Sequence, residues 1–276
     1  MIRVLKSDGT VEDYDEDKLR QSLRLSGLSN DKIEYVLKRI KKHLYDGIST
    51  AKIHEQVERI LPKASLAASI KYNIKKALFA LGPTGYPFEH FVARVLSEYG
   101  YSTRVDQILQ GVCVNHEIDV LAEKPGKVSL VECKFHNKQG TKSNVKVVLY
   151  VYSRFLDIKE NPDNYDLSQG RKFIPWVFTN TRFTQDAVEY ALCKGMRITA
   201  WRYPKKGNIQ ELIERYALYP ITVFTDIQVD KIKEALRSGI VVIKDVLEKK
   251  SLSQRIFGQE YLKIRLKVQD LLSHEI

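Results

Sequence analysis

The sequence has 276 residues, of which 43% are hydrophobic and 29% are charged. This length suits two or three domains, and this balance is typical of globular proteins that bury sizeable cores. The formal net charge of +11 favours a phosphate-bearing partner such as nucleic acid, although a generally basic surface fits it equally well. No apolar run reaches the length of a membrane span, and the first residues turn polar too early for a signal peptide. We therefore expect a cytoplasmic protein that does not enter a membrane.

The cysteine content limits the kinds of site that the chain can form. There are three cysteines, Cys113, Cys133 and Cys193, and no two of them have metal-ligand spacing. An odd number without such spacing argues against a disulfide framework and a zinc site, and it favours a reducing compartment.

Residues 1–85 are predicted to form a small, mainly helical domain. Hydrophobic residues on both sides of the turn dipeptide Asp8-Gly9 predict a β-hairpin over residues 2–13. Four amphipathic helices are expected after it, at about residues 15–25, 30–40, 50–61 and 64–80. The run Gly82-Pro-Thr-Gly then marks the domain boundary.

This segment resembles the ATP-cone, a small regulatory domain of ribonucleotide reductases and of a repressor of their genes. The motifs Val4-Leu-Lys-Ser-Asp-Gly, Glu12, Asp17-Lys-Leu and Tyr45-Asp-Gly-Ile-Ser-Thr-Ala-Lys-Ile-His-Glu stand in the order of that family. The resemblance implies that ATP or dATP binds between the hairpin and the helices. No glycine-rich P-loop motif is present, so the nucleotide is expected to be sensed rather than hydrolysed.

The resemblance also implies a set of nucleotide-binding residues. In that set Val4 packs on the base, Lys6 and Lys18 contact phosphates, Glu12 and Leu19 line the pocket, and Thr50 and His54 reach the triphosphate side. A further lysine near the end of the fourth helix is Lys71, Lys75 or Lys76, and the sequence does not choose among them. Ser7 stands where the family usually has arginine, which removes one fixed cation and bears on the choice between ATP and dATP.

Residues 86–205 are predicted to form a mixed-sheet α/β domain. The expected order is helix, three strands, helix, strand, helix, strand. The helices are expected at about 88–99, 143–158 and 184–194, and the strands at about 107–114, 117–123, 127–134, 174–179 and 197–201.

Three charged residues of this domain form a pattern suited to phosphodiester chemistry. Glu132 and Lys134 alternate with apolar residues on one strand and so point the same way, and Asp119 lies on the strand joined to it by the turn Pro125-Gly126. Two carboxylates suit Mg²⁺, which polarises a phosphate and lowers the pKa of a bound water, and a lysine stabilises the developing charge. The alternative is a hairpin with solvent-facing charges. The apolar character of the second strand speaks against it, because a buried charge needs a partner.

These residues carry a second resemblance. Glu117-Ile-Asp-Val-Leu-Ala followed by Val131-Glu-Cys-Lys resembles the D…(E/Q)-x-K core of Mrr-type restriction endonucleases and archaeal Holliday junction resolvases, members of the PD-(D/E)xK superfamily. The segment from Val177 to Ala187 resembles the T-N-x-x-F-T-x-x-A segment of the Mrr family. The resemblance implies a restriction-endonuclease-like fold, a DNA substrate and Mg²⁺ or Mn²⁺. Asp119 and Glu132 would then bind the metal, and Lys134 would assist catalysis.

Other residues near this core have open roles. A glutamate of the first helix often completes the site in that family, and Glu89 matches it better than Glu98. An ordinary carboxylate at a helix N-terminus explains Glu89 equally well. His116 fits either a contact to phosphate or a solvated turn histidine. Gln139 and Lys142 fit either DNA-backbone contacts or a solvated loop.

Residues 206–276 are predicted to be helical. Residues 235–247 resemble the turn of a helix-hairpin-helix, which offers backbone N–H groups to a DNA phosphate, and a plain helical subdomain fits equally well.

The whole sequence therefore predicts an α/β (α+β) protein with an ATP-cone at 1–85, a nuclease-like domain at 86–205 and a helical region at 206–276. The expected function is a type II/IV restriction-like, metal-dependent DNA endonuclease regulated by ATP or dATP, acting as a homodimer. Two alternatives stay open: a nucleotide-responsive DNA-binding protein without cleavage activity, and a nuclease acting on RNA or branched DNA.

Overall fold

The computed structural model describes residues 2–6, 9–138, 140–164, 167 and 170–273. Contacts between residues divide the chain into two compact units. The first comprises the described residues within Met1–Lys75 and Gln269–Ile276, and the second those within Lys76–Val268.

The first unit contains a small three-stranded sheet, whose third strand follows the second helix, and four helices that follow the hairpin or this strand. Its elements are β1 (Arg3–Leu5), β2 (Val11–Asp13), α1 (Glu16–Leu25), α2 (Asn30–Lys41), β3 (Ile48–Ser49), α3 (Thr50–Ala64) and α4 (Leu66–Phe79), the last of which continues into the second unit. The sheet order is β2-β1-β3, with β1 antiparallel to β2 and parallel to β3. The predicted hairpin and four helices are confirmed, whereas the predicted turn residue Asp8 lies outside the described residues.

Local signals in the sequence fix where these helices begin. The Asp15 carboxylate accepts hydrogen bonds from the backbone nitrogens of Asp17 and Lys18, and the Ser49 hydroxyl accepts one from Lys52. Such caps satisfy amides that have no partner within the helix and stabilise it by about 1 kcal/mol each. The apolar faces then meet in one core, whose fully buried members are Leu23, Ile33, Val36, Val57 and Leu61.

The second unit is built on a five-stranded mixed sheet. Its sheet domain contains α5 (Tyr86–Glu98), β4 (Ser102–Gln110), β5 (Asn115–Lys124), β6 (Lys127–Lys134), β7 (Lys142–Ser143), α6 (Val145–Glu160), β8 (Lys172–Thr179), β9 (Arg182–Phe183), α7 (Gln185–Cys193) and β10 (Arg197–Thr199). The sheet order is β10-β8-β6-β5-β4. Strands β4, β5 and β6 form an antiparallel meander, and β6, β8 and β10 run parallel. The mixed α/β class is confirmed. The first strand was predicted too late, since it begins at Ser102 and not near residue 107.

The central position of β6 explains its apolar sequence. Residues 128–133 of this strand are all buried, as expected for a strand covered on both faces. Val148 and Val151 of α6 pack with Val177 of β8, Ala187 of α7 and Ile198 of β10. Glu132 therefore lies in a buried central strand of the sheet, where its charge needs partners.

The chain ends in helices, as predicted. They are α8 (Ile209–Tyr216), α9 (Val229–Arg237), α10 (Ile243–Glu248), α11 (Lys250–Phe257) and α12 (Tyr261–Ser273), the last of which extends into the first unit. Within the described ranges, none of the helices combines the length and apolar character needed to cross a bilayer.

The turn between α9 and α10 does not offer its amides to a phosphate. The Asp245 carboxylate accepts hydrogen bonds from the backbone nitrogens of Val241 and Val242, at 2.8 and 3.0 Å. The nitrogens of Gly239 and Ile240 donate to carbonyls of α9. The predicted phosphate contact of a helix-hairpin-helix thus has no available amide at these four positions.

Candidate functional sites

The first candidate site lies where β5 and β6 diverge. The ladder between these strands extends to the pair Val120 and Val131. One residue further along, Asp119 and Glu132 lie on neighbouring strands. The backbone nitrogen of Cys133 donates to Oδ2 of Asp119 at 2.6 Å. Because backbone pairing between β5 and β6 ends before this point, the amide of Cys133 in β6 is available to hold the Asp119 carboxylate of β5 in place.

Glu132 is buried, with 6% of its surface exposed, and its two oxygens have different cationic partners. Lys134 Nζ lies 2.6 Å from Oε1, and Arg154 Nη1 of α6 lies 2.6 Å from Oε2. A buried carboxylate is tolerated when both oxygens are paired in this way. Arg154 was not predicted from the sequence. The signal for it was a cation inside the apolar stripe that Val151, Phe155 and Ile158 form on α6.

Glu89 of α5 belongs to the same electrostatic cluster. Burial raises the pKa of Glu89 to about 7, assisted by the negative charges of Asp119, Asp106, Glu117 and Glu132. Burial and the charge of Glu132 likewise raise the pKa of Asp119 to about 6, although the Cys133 amide and nearby cations oppose the rise. The predicted residues Glu89, Asp119, Glu132 and Lys134 are therefore brought together.

Lys134 remains a cation in this setting. Burial lowers its pKa, but the hydrogen bond to Glu132 and the charges of Glu132 and Asp119 outweigh burial, so the pKa is raised above its ordinary value. A charged lysine beside carboxylates can stabilise negative charge on a phosphate.

The donor set suits a hard divalent cation in its chemistry. Carboxylate oxygens are the ligands that Mg²⁺ and Mn²⁺ prefer, and a cation would relieve the repulsion among Glu89, Asp119 and Glu132. In the described part of the chain, no three His, Cys, Asp or Glu side chains are already arranged as a metal cluster. Both oxygens of Glu132 are engaged by cations, so a metal ion would compete with Lys134 or Arg154 for them.

Asp106 marks a distortion that sequence reasoning missed. Its φ is +53°, in the left-handed region, which few non-glycine residues adopt. The strands β4 and β5 pair at Val105–Val120 and Gln107–Ile118, but the intervening residues Asp106 and Asp119 are not paired. The backbone is therefore unusual at Asp106, whose charge acts on Glu89, and such distortions are common at functional sites.

Other residues singled out in the sequence lie elsewhere. Glu98 ends α5 and pairs with Arg94 at 2.9 Å, about 13 Å along the helix from Glu89 at the standard rise of ~1.5 Å per residue. His116 Nε2 lies 2.7 Å from Oδ2 of Asp157, so it has a carboxylate partner and is not simply solvated. Lys142 lies in β7 and is exposed, whereas Gln139 lies outside the described residues.

The second candidate site is a cleft of about 250 Å³ in the first unit. Six of the seven predicted nucleotide-binding residues line it: Val4, Glu12, Lys18, Leu19, Thr50 and His54. The seventh, Lys6, has its Nζ 2.7 Å from the Glu12 carboxylate. The cleft lies between the hairpin and helices α1 and α3, and its lining also includes Asp13, Tyr14, Asp15, Ser22 and Ile53, which were not predicted.

Glu12 organises the basic edge of this cleft. Its two oxygens lie 2.7 Å from Lys6 Nζ and 3.5 Å from Lys18 Nζ. The hydrogen bond from Lys6 is the main cause that lowers the pKa of Glu12. One carboxylate thereby holds two cations together at the cleft. The position of Ser7, where the family usually has arginine, lies outside the described residues.

Two tyrosines shape the cleft without having been predicted. The Tyr14 hydroxyl is buried and has no hydrogen-bond partner among the described residues. Burial raises the pKa of Tyr14 to about 12, so this group is a neutral donor. The Tyr72 hydroxyl lies 2.5 Å from Nδ1 of His54 and fixes the orientation of that imidazole.

One comparison with known protein families agrees with this description of the first unit. Residues 2–77 match the ATP cone domain, which implies adenine-nucleotide binding and lies within the predicted segment 1–85. An uncharacterized protein of Archaeoglobus fulgidus is 39% identical over 176 residues, covering 63% of this chain and 94% of that protein. A crystal structure of a protein of unknown function, AF1548, is similar at 37% identity and a TM-score of 0.55, covering 70% of this chain and 98% of that one. The chain thus carries an ATP cone domain and belongs to the family of the uncharacterized Archaeoglobus fulgidus protein.

Proposed function

We propose that the protein is a metal-dependent endonuclease that hydrolyses phosphodiester bonds in DNA under the control of ATP or dATP. The observation that carries the proposal is the clustering of Glu89, Asp119 and Glu132 with Lys134 at one end of β5 and β6. The nearby Arg154 holds Glu132 from α6. This grouping matches the D…(E/Q)-x-K pattern residue by residue.

Each residue has a distinct task in this proposal. Asp119 and Glu132 hold Mg²⁺ or Mn²⁺, which when bound polarises the scissile phosphate and acidifies a water molecule. Lys134 donates to the negative charge that grows on the phosphate during attack. Glu89 is the third carboxylate, and its pKa, raised to about 7, suits the role of accepting a proton from the attacking water. Arg154 positions Glu132 through the 2.6 Å contact.

The ATP cone domain supplies the control in this proposal. Lys6 and Lys18 contact the phosphates, Val4 packs on the base, Glu12 and Leu19 line the pocket, and Thr50 and His54 reach the triphosphate side. A regulatory ligand acts only if it binds one state of the protein more tightly than another. Typical coupling of ~1–3 kcal/mol would change DNA affinity by roughly 5–150-fold, and DNA would change nucleotide affinity by the same factor.

The oligomeric state that we propose follows from the cleavage of two DNA strands. Among the residues that the structure describes, each chain presents one such carboxylate cluster, and cutting both strands of a duplex requires two sites facing opposite backbones. We therefore propose a homodimer, the commonest symmetric assembly of soluble proteins.

One observation favours a second function. Lys134 and Arg154 pair with both oxygens of Glu132. If these pairs persist, the Glu132 carboxylate is not available to bind a metal ion. The protein would then be a nucleotide-responsive DNA-binding protein without cleavage activity.

A substrate panel tests these proposals. Linear, nicked, branched and methylated DNA and an RNA duplex are incubated with the full chain and Mn²⁺, with and without ATP or dATP. Cleavage of DNA that changes with nucleotide supports the regulated nuclease. Cleavage confined to RNA or to branched DNA supports a nuclease that acts on that substrate instead. DNA binding that responds to nucleotide without any cleavage supports the second function.

A further inference from the structure

A second cleft in the first unit has no assigned role. It lies between α2 and α3, has a volume of about 520 Å³, and is lined by Arg39, Lys42, His43, Arg59, Ile60 and Lys63. Four of these residues are cations and one is a histidine. None of the lining residues that the structure describes is acidic, and none lines the nucleotide cleft.

The packing of two helices creates this surface. Ile33, Leu37 and Ile40 of α2 meet Val57 and Ile60 of α3 in the core of the first unit. The basic residues next to Ile40 and Ile60 are consequently directed outward along the seam between the two helices. The cleft is thus held in shape by a well-packed core, and its cations project from both walls.

The four cations have no ion-pair partners in the described part of the chain. Arg39 stacks on the Tyr35 ring at 4.8 Å, and Arg59 donates to the Gln56 side chain at 2.8 Å. The same unit pairs other cations with carboxylates, for example Lys6 with Glu12 and Arg3 with Asp46. Positive charge is therefore concentrated in this cleft without local compensation.

Helix-dipole complementarity explains only part of the pattern. Cations near a helix C-terminus are favoured by the dipole within the last turn, and this accounts for Arg39 and Lys42 beside the end of α2 and Lys63 near the end of α3. It does not account for Arg59, which precedes the last turn of α3, or for the concave shape that brings both helices' cations together.

We propose that this cleft binds the phosphodiester backbone of nucleic acid. The lining offers guanidinium and ammonium groups but only one apolar side chain, Ile60, and no Phe, Tyr or Trp ring for a base; its single ring is the His43 imidazole. Such a surface contacts phosphates without reading sequence. The proposal rests on DNA being the partner under the proposed function, and it assigns a DNA contact to the regulatory domain itself.

Binding of a short DNA duplex to the full chain, measured by fluorescence anisotropy in EDTA across a salt series, tests the proposal. Lys42→Ala/Lys63→Ala removes two cations of the cleft. Arg24→Ala/Lys32→Ala removes two exposed cations of the same unit that do not line it. Thermal melting confirms that both variants are folded.

We expect Lys42→Ala/Lys63→Ala to weaken DNA binding roughly tenfold or more at low salt and to reduce the slope of log Kd against log salt by about 2. The control variant should bind as the wild type does, and Lys42→Arg/Lys63→Arg should retain the affinity. Equal losses in both alanine variants, or no DNA binding by the wild type, would overturn the proposal. Because cleavage is not measured, an inactive nuclease would not affect this result.

Two further titrations distinguish nucleic acid from a free polyphosphate as the ligand of this cleft. Tripolyphosphate and ATP are titrated into the same variants by calorimetry. Unchanged ATP affinity in Lys42→Ala/Lys63→Ala supports a site separate from the nucleotide cleft. A variant that loses tripolyphosphate binding but keeps DNA binding would show that the cleft serves a free polyphosphate, and the nucleic-acid assignment would be wrong.

Discussion

The backbone amide of Cys133 donates to the Asp119 carboxylate across 2.6 Å. This contact ties the side chain of one strand to the main chain of the next, so Asp119 cannot swing away from Glu132 without losing it. The amide also favours the ionised form of Asp119, against burial and the charge of Glu132, which raise its pKa to about 6. The site thus keeps two mutually repelling carboxylates close together.

Arg154 should be a stabilising residue of this site. Arg154→Leu leaves the buried Glu132 with only Lys134 as a cationic partner. Loss of a hydrogen bond to a largely buried charge costs about 2 kcal/mol in free energy of unfolding. Urea denaturation of Arg154→Leu and of Arg154→Leu/Glu132→Leu checks this. The double variant should recover much of the loss, and an unaffected single variant would mean that the contact is not important for stability.

Divalent metal ions should stabilise the fold against heat. A cation among Glu89, Asp119 and Glu132 relieves their repulsion, and a ligand at 100 times its Kd stabilises the native state by about 2.7 kcal/mol. Thermal melts in Mn²⁺, Mg²⁺ and EDTA measure the effect. Asp119→Asn should abolish it while Glu98→Gln keeps it, because Glu98 pairs with Arg94 outside the cluster. Equal stabilisation of both variants would place the metal elsewhere.

Tyr14 should contribute to nucleotide affinity. Tyr14 lines the cleft, and its buried hydroxyl has no partner among the described residues, so we propose that this hydroxyl donates to a nucleotide bound there. Tyr14→Phe removes only this oxygen and should weaken ATP binding by about 0.5–1.5 kcal/mol, or roughly 2–13-fold. Calorimetry compares it with Tyr35→Phe, an exposed tyrosine outside the cleft. Identical ATP affinities in the two variants would exclude this contact.

Asp157 should make the free energy of unfolding depend on pH under acidic conditions. The hydrogen bond from His116 is the main cause that lowers the pKa of Asp157 to about 2, and the amides of Cys113 and Val114 add to it. A carboxyl whose pKa is lower in the folded than in the unfolded state stabilises the fold above the unfolded value of about 4. This contribution is lost as pH falls from about 4 to 2. The difference in free energy of unfolding between wild type and Asp157→Asn should shrink over that window, and a constant difference would contradict the assignment.

Much of the fold was predictable because its signals are local. Periodicity identified the helices, and the run from Val128 to Cys133 identified the buried central strand. The late start predicted for β4 has a physical reason: its residues alternate between exposed and half-buried, so no continuous apolar run marks where the strand begins. The pairing of β7 with β9, each of two residues, left too short a pattern to detect.

The residues of the candidate sites could be predicted from the sequence only where they belong to a recognisable motif. Asp119, Glu132 and Lys134 follow from strand alternation and one tight turn. Arg154 required knowing that α6 packs beside β6, which is a long-range contact. The left-handed backbone of Asp106 had only a weak sequence signal: aspartate is depleted in strands and adopts this conformation more often than most residues.

Cleavage of supercoiled plasmid tests the central claim most directly. The full chain is incubated with Mn²⁺, Mg²⁺ or EDTA, and the wild type is compared with Asp119→Asn, Lys134→Ala and the matched control Glu98→Gln. The account predicts nicking or linearisation that requires a divalent cation, is lost in Asp119→Asn, falls about 10²–10³-fold in Lys134→Ala and is unchanged in Glu98→Gln. Cleavage in EDTA, or cleavage by Asp119→Asn at the wild-type rate, would contradict it.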